Sequence, residues 1–212
     1  MSVRVIAYTN PAIPDMKPEA LVAYVARVSN PGNQMNLETA PRLLAYLRRN
    51  NHWSPFEMAS ATLEIETTRD IARQILRHRS FSFQEFSQRY AEATSFHEPR
   101  EARLQDTTNR QNSLPSDDHQ LEKWWRAEQR ELLAKVTRLY SKALEKGIAK
   151  EQARAVLPEG LTHSRLYMAG TLRSWLHYIE LRTDAGTQKE HRIIAEKCRV
   201  ALQAIYPGVF SE

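Results

Sequence analysis

The chain has 212 residues, a formal charge of +5, a single cysteine and an ordinary 42% apolar content. That length can bury a core as one unit spanning residues 1–212, and no apolar run is long enough to span a membrane. One cysteine forbids an intrachain disulfide, and the opening Met1-Ser2-Val3-Arg4-Val5-Ile6 lacks the apolar region of a signal peptide, so a cytoplasmic location is expected.

In chain order, residues 3–8 read as a strand and 18–28 as a helix with a turn at Pro31-Gly32. Asn36 or Thr39 opens a second helix, striped by Leu43, Leu44 and Leu47, whose polar exit delivers His52 and Ser54. Residues 59–66 alternate, Ala61, Leu63 and Ile65 against Thr62, Glu64 and Glu66, which predicts a half-buried strand. Thr67-Thr68-Arg69-Asp70 reads as a capping box with Thr67 as the cap. The helix that follows buries Ile71, Ala72, Ile75 and Leu76, with Gln74 and His78 one turn apart on another face.

Further on, 91–116 is polar and irregular, predicting a strand fragment and a mobile loop. Residues 117–145 form a long helix with Leu121, Trp125, Leu132, Val136, Leu139 and Ala143 near one face. A shorter helix over 150–156 ends before Pro158, and 164–170 suits a strand. Leu172, Trp175, Leu176 and Ile179 have helical spacing, and a last helix over 188–205 stops at Pro207-Gly208. Helices and strands mix without regular alternation. The expected class is α+β, one domain with a mixed or antiparallel sheet and several long helices.

Chemistry concentrates in Arg77-His78-Arg79-Ser80-Phe81-Ser82-Phe83-Gln84-Glu85-Phe86-Ser87-Gln88-Arg89-Tyr90. An extended chain there would put Glu85, Ser87 and Arg89 on one face. From Arg69 to Arg110 every lysine-or-arginine position is arginine. Solubility needs no such bias, whereas bidentate binding of phosphate or carboxylate does, so an anionic, nucleotide-like guest fits. His78 between two arginines should have a lowered pKa and stay neutral. No ligand spacing suggests a metal. Ser87 has neither a nucleophile elbow nor an evident base, which favours a hydrogen-bonding role. Cys198 shares a stripe with Ile194, Ala201 and Ile205 and reads as buried and inert.

Arg77-His78-Arg79, followed after seven residues by Ser87 and accompanied by Ser82, Glu85, Arg89 and Tyr90, resembles the signature of flavin-dependent thymidylate synthases. Gln84 stands where many members carry asparagine, and Met58 where histidine is common. Weaker likeness runs from His52-Trp53-Ser54-Pro55-Phe56-Glu57 to Arg182. The resemblance implies that family's fold and reductive methylation of dUMP to dTMP. It also implies FAD as cofactor, NADPH as reductant, methylenetetrahydrofolate as carbon donor, and a homotetramer with shared sites. For FAD it points to His52, Ser54, Arg77, His78, Arg79, Glu85, Thr171, Arg173 and His177, the first beside the flavin ring. Thr171 and His177 stand where some members have asparagine. For dUMP it points to Gln74, Arg77, Glu85, Ser87, Arg89, Arg154 and Arg182, with backbone amides around Phe86, Ser87 and Gln88 for the phosphate. Arg182 is the catalytic candidate, a cation at the uracil edge that makes C5 nucleophilic without a covalent bond.

Two other classes stay open on sequence alone. A basic nucleic-acid module would use Phe81, Phe83 and Phe86 as stacking platforms, and an interaction protein would use the helix carrying Trp124 and Trp125. Glu85 among the arginines opposes the first, since a carboxylate repels a phosphate backbone.

Overall fold

The computed structural model describes residues 1–93 and 95–210. Four strands, β1 (Ser2–Tyr8), β2 (Ser60–Thr68), β3 (Ser82–Glu85) and β6 (His163–Thr171), make one antiparallel sheet in the order β1-β2-β6-β3. The alternation seen in sequence holds: Ala61, Leu63 and Ile65 of β2 and Leu166 and Met168 of β6 are buried, while Arg4, Arg165 and Tyr167 point outward. Pairing Leu63 with Met168 and Ile65 with Leu166 fixes the register, because a one-residue slip would turn the apolar set to solvent. The opposite face is held by ions instead, with Arg4 on Glu64 at 2.7 Å and Arg165 on Glu66 at 2.9 Å.

Helices α1 (Pro18–Ala26), α2 (Ala40–Arg49), α3 (Arg69–Ile75), α6 (Leu172–Thr183), α7 (Lys189–Gln203) and α8 (Pro207–Phe210) share the core with the sheet's apolar face. Trp175 of α6 is wholly buried, and its indole donates to the Ala61 carbonyl at 3.1 Å. A buried polar donor is thereby satisfied where it would otherwise be costly. Pro207 does more than end the last helix: it opens α8, where proline's fixed φ and missing amide suit a first turn.

Three local expectations are corrected. Thr67 belongs to β2 and is buried; Thr68 is the residue at the cap position of α3, with no side-chain capping bond. The first amides of α3 are instead satisfied by backbone, Arg69 on Thr162 at 3.0 Å and Asp70 on Glu159 at 3.3 Å. Thr68 and Asp70 both bind Arg100, at 3.0 and 2.8 Å. Leu76 is half-buried because α3 ends at Ile75. The stretch expected to be a strand fragment and mobile loop contains a hairpin, β4 (Arg103–Gln105) with β5 (Ser113–Pro115), and a bridge from Phe96 to Thr162. Asp106 organises the hairpin turn by accepting from Thr108, Asn109 and Asn112.

Helix α4 (His119–Glu145) is capped by Asp118, which accepts from the amides of Gln120 and Leu121. It stops where Gly147 takes φ +78° and the Ile148 amide closes on Ala143 at 3.0 Å. With α5 (Lys150–Ala153) it encloses a small satellite core of Ala93, Tyr140 and Ala153. Its expected apolar face is split: Val136 is buried and Leu121 and Ala143 are half-buried, but Trp125, Leu132 and Leu139 are exposed, as is Trp124. No helix among the described residues is long and apolar enough to cross a membrane.

Candidate active site

Three groups of the named side chains come together, each set by the elements above. The first joins the ends of α3 and α6. Arg182, in the last turn of α6, donates from Nε to Nε2 of His78 at 2.9 Å. A guanidinium can only donate, so Nε2 carries the lone pair and His78 is neutral with its proton on Nδ1. Its pKa is pushed down to about 4, first by burial and then by Arg182. The flanking arginines are not the cause: Arg77 and Arg79 are exposed and form no ion pair among the described residues. The His78 ring also packs edge-on against Tyr178, centroids 4.9 Å apart. Gln74 lies one layer deeper, donating to Gln188 at 2.7 Å and contacting His191 at 3.1 Å.

The second group sits at the N-terminus of α6 and the short 3-10 turn Ser54–Glu57. Arg173 binds Glu57 at 2.9 Å, and a hydrogen bond from Thr171, then Arg173, holds that carboxyl below its ordinary range. Thr171 caps α6 by accepting from Ser174 at 3.3 Å. His177 packs on Trp53, centroids 4.6 Å apart, while His52 packs on Tyr46 and leaves Ser54 exposed between. Ser174 also donates to the Ser80 carbonyl at 3.2 Å, tying this group to the segment carrying Arg77, His78 and Arg79. Along α6, Arg173 and Arg182 are nine residues apart, roughly 13 Å.

In the third group, Glu85 accepts on Oε1 from Ser164 at 2.7 Å and from Arg69 at 3.4 Å. Its Oε2 accepts nothing among the described residues. Strand β3 ends here, so the shared face expected for Glu85, Ser87 and Arg89 does not form. Ser87 instead begins a turn, its carbonyl accepting from Tyr90 at 3.1 Å and its hydroxyl from the Arg89 amide at 3.4 Å. The Phe86 amide is used by the sheet, donating to Arg165 at 2.8 Å. The amides of Ser87 and Gln88 remain without a bond among the described residues. So does the buried Gln88 Nε2. Arg89 pairs with Glu151 at 3.5 Å, and Arg154 donates to the Glu151 carbonyl at 3.2 Å, so these two cations flank one residue.

No hydrogen bond or ion pair among the described residues joins the third group to the other two. The sequence reading missed Glu57 as the Arg173 partner, Arg69 and Ser164 on Glu85, and the buried pair His191 and Tyr178. His191 left a trace: it is the polar member of the stripe that contains Ile194, Cys198 and Leu202, all fully buried. A cleft of about 760 Å³ lies beside the second group, lined in part by Arg49, Trp53, Ile179 and Arg199.

The sequence model described as thymidylate synthase complementing protein matches residues 4–208. A flavin-dependent thymidylate synthase from Synechocystis is 52% identical over 213 residues, covering 99% of this chain and 97% of its own. This chain belongs to the flavin-dependent thymidylate synthase family. A protein of Paramecium bursaria Chlorella virus 1 shows the same 52% identity and the same coverage. Among solved structures, the UMP/dUMP methylase PolB from Streptomyces cacaoi, bound with 5-Br dUMP, superposes with a TM-score of 0.80 at 28% identity, covering 99% of this chain and 92% of that one. The antiparallel sheet with its helices is thus the family fold, as expected from sequence.

Proposed function

We propose that this chain methylates dUMP reductively to dTMP, with methylenetetrahydrofolate as carbon donor and FAD reduced by NADPH. The observation that carries the reading is Arg182 fixed at 2.9 Å on a neutral His78, beside the exposed cations Arg77 and Arg79. Such a guanidinium is pre-positioned for negative charge developing on a uracil, which it stabilises without reorganisation. The route that uses a cysteine nucleophile is closed here, because Cys198 is fully buried and burial pushes its thiol far above the ordinary range.

The donor set suits a flavin dinucleotide. Arg77 and Arg79 offer two exposed guanidiniums to a diphosphate, while Arg173, His177, Ser54 and His52 offer donors beside the Trp53 ring. The hydride chemistry would come from that cofactor when bound. The protein's own share is to bind and orient. Gln74, Arg77, Arg89, Arg154 and Arg182 hold dUMP, with Ser87 and the Ser87 and Gln88 amides toward its phosphate. Glu85, anchored on one oxygen, keeps the other for a donor on either ligand.

We assign a homotetramer with sites shared between subunits. The third group's separation from the first two supports it, as does the exposed row of Trp124, Trp125, Leu132 and Leu139 on α4. We also assign a cytoplasmic location, which suits a lone buried thiol.

Purified protein should be yellow, bleach with NADPH and form dTMP from dUMP only when methylenetetrahydrofolate is present. Cys198→Ala should keep that activity. Turnover that needs the thiol, or none with FAD and all substrates present, would overturn the assignment. Running UMP beside dUMP separates a deoxynucleotide enzyme from the broader choice of a UMP/dUMP methylase such as PolB.

A further inference from the structure

Behind Gln74 lies a buried imidazole that the function above leaves unused. His191 of α7 is wholly buried, with Nε2 3.1 Å from the Tyr178 hydroxyl and Nδ1 3.1 Å from Gln74 Oε1. Gln74 Nε2 donates to Gln188 Oε1 at 2.7 Å, and Gln188 Nε2 donates to Glu190 Oε2 at 2.9 Å. The other Glu190 oxygen binds Arg103 of the hairpin.

The direction of this chain is fixed from one end. Burial works against ionising Glu190, but Arg103, its own backbone amide and Gln188 outweigh it and hold the pKa below the usual range. A carboxylate only accepts, so Gln188 must turn its amide nitrogen to Glu190 and its carbonyl to Gln74. Gln74 must then give an N–H to Gln188 and face His191 with its carbonyl. His191 must protonate Nδ1 and take the Tyr178 proton on Nε2. Reversing any one amide would set acceptor against acceptor inside a buried network, where an unmade bond is costly.

We propose that His191 is a positioning residue: together with the Arg103–Glu190 pair it locks the Gln74 amide so that its one spare hydrogen is a donor, selecting a pyrimidine carbonyl at that contact. This rests on the reading of Gln74 as a dUMP ligand. The groups facing the imidazole are Gln74 from α3, His78 from the turn after it, and Tyr178 and Arg182 from α6. Burial, then Arg182 and His78, push the His191 pKa down to about 3, so the imidazole stays neutral at working pH.

The test uses the FAD-loaded enzyme and dUMP titrations of Gln74→Ala, His191→Leu, His191→Asn and the Gln74→Ala/His191→Leu pair. Each of the first two should raise the dUMP KM roughly tenfold, with kcat within about twofold. The double variant should be no worse than the poorer single, since both remove one contact. His191→Asn, whose amide can still donate to Gln74, should recover much of the loss. If Gln74→Ala binds dUMP normally, the underlying ligand reading fails and this inference with it. If Gln74→Ala is impaired but His191→Leu is not, or if the two losses multiply, only the inference is overturned. Nitrogen-edited NMR of the unaltered enzyme gives an arm that no folding defect can spoil. It should find His191 neutral and protonated on Nδ1; an Nε2–H tautomer or an imidazolium at pH 7 refutes the locked direction.

Discussion

Arg182 Nε donates to His78 Nε2 across 2.9 Å, so the last turn of α6 is pinned to the turn that follows α3. The bond uses one edge of the guanidinium and leaves Nη1 and Nη2 for a ligand. It also keeps His78 from acting as an acid through Nε2, since that nitrogen has no proton to give. The cation is therefore the active partner and the imidazole its support.

Arg182→Ala should lower kcat at least 100-fold while FAD stays bound, the scale of losing one pre-positioned charge-stabilising donor. Stopped-flow turnover and flavin absorbance check both halves. Arg182→Lys should recover little, because an ammonium cannot bond His78 from one edge and present a fork from the other.

Arg173 is exposed and held by Glu57 at 2.9 Å, so removing it disturbs little packing. Arg173→Ala is expected to weaken FAD retention by about tenfold or more, read by equilibrium dialysis, with thermal unfolding of the apoprotein shifted only slightly. Surface pairs of this kind contribute ~0–1 kcal/mol. A large stability loss would make the residue structural.

Acid should weaken the fold in a defined window. His78 and His191 have native pKa values pushed to about 4 and about 3, against an ordinary 6.5. Above 6.5 neither the native nor the unfolded chain binds these protons, and the stabilisation is fully present. Below it the unfolded chain takes them up first, so stability falls by ~1.4 kcal/mol per pH unit per group until the native pKa is reached. Carboxyls held low, such as Glu57, add losses only below their ordinary 4.5. Urea midpoints should therefore drop between pH 6.5 and 4.5, and His191→Asn should flatten that slope.

Gly170 tolerates no side chain. A Cβ there would lie 2.4 Å from the Phe81 ring, which is itself packed on Trp175 with centroids 4.8 Å apart. Phe81 has buried neighbours behind it and cannot swing away freely. Gly170→Ala should cost ~1–3 kcal/mol, the range for overpacking a core, measured as a lowered urea midpoint.

What could be read from sequence followed local periodicity. The β2 alternation and the Leu172-Trp175-Leu176-Ile179 spacing each set one buried face, and both were correctly placed. Features decided by distant partners were not legible. Thr67 looks like a cap, yet the start of α3 is satisfied by the backbone of residues 159 and 162, which sequence proximity cannot reveal. Trp125, Leu132 and Leu139 have core-like spacing, but each stays exposed in this chain. At the site, the motif named Arg77, His78 and Arg79, whereas the pairing of His78 with Arg182, 104 residues away, needed the fold. The hairpin with its Asp106 turn was hidden because its strands are three residues each, too short for a pattern.

Cys198 lies on the buried face of α7 with no exposed surface. A thiol-reactive dye can meet that sulfur only after the helix lifts from the sheet, so the labelling rate of the native enzyme becomes an intrinsic clock for opening of this layer. Saturating dUMP should slow the clock if substrate braces the packed helices, and full denaturant should release a single equivalent of reactive sulfur per chain.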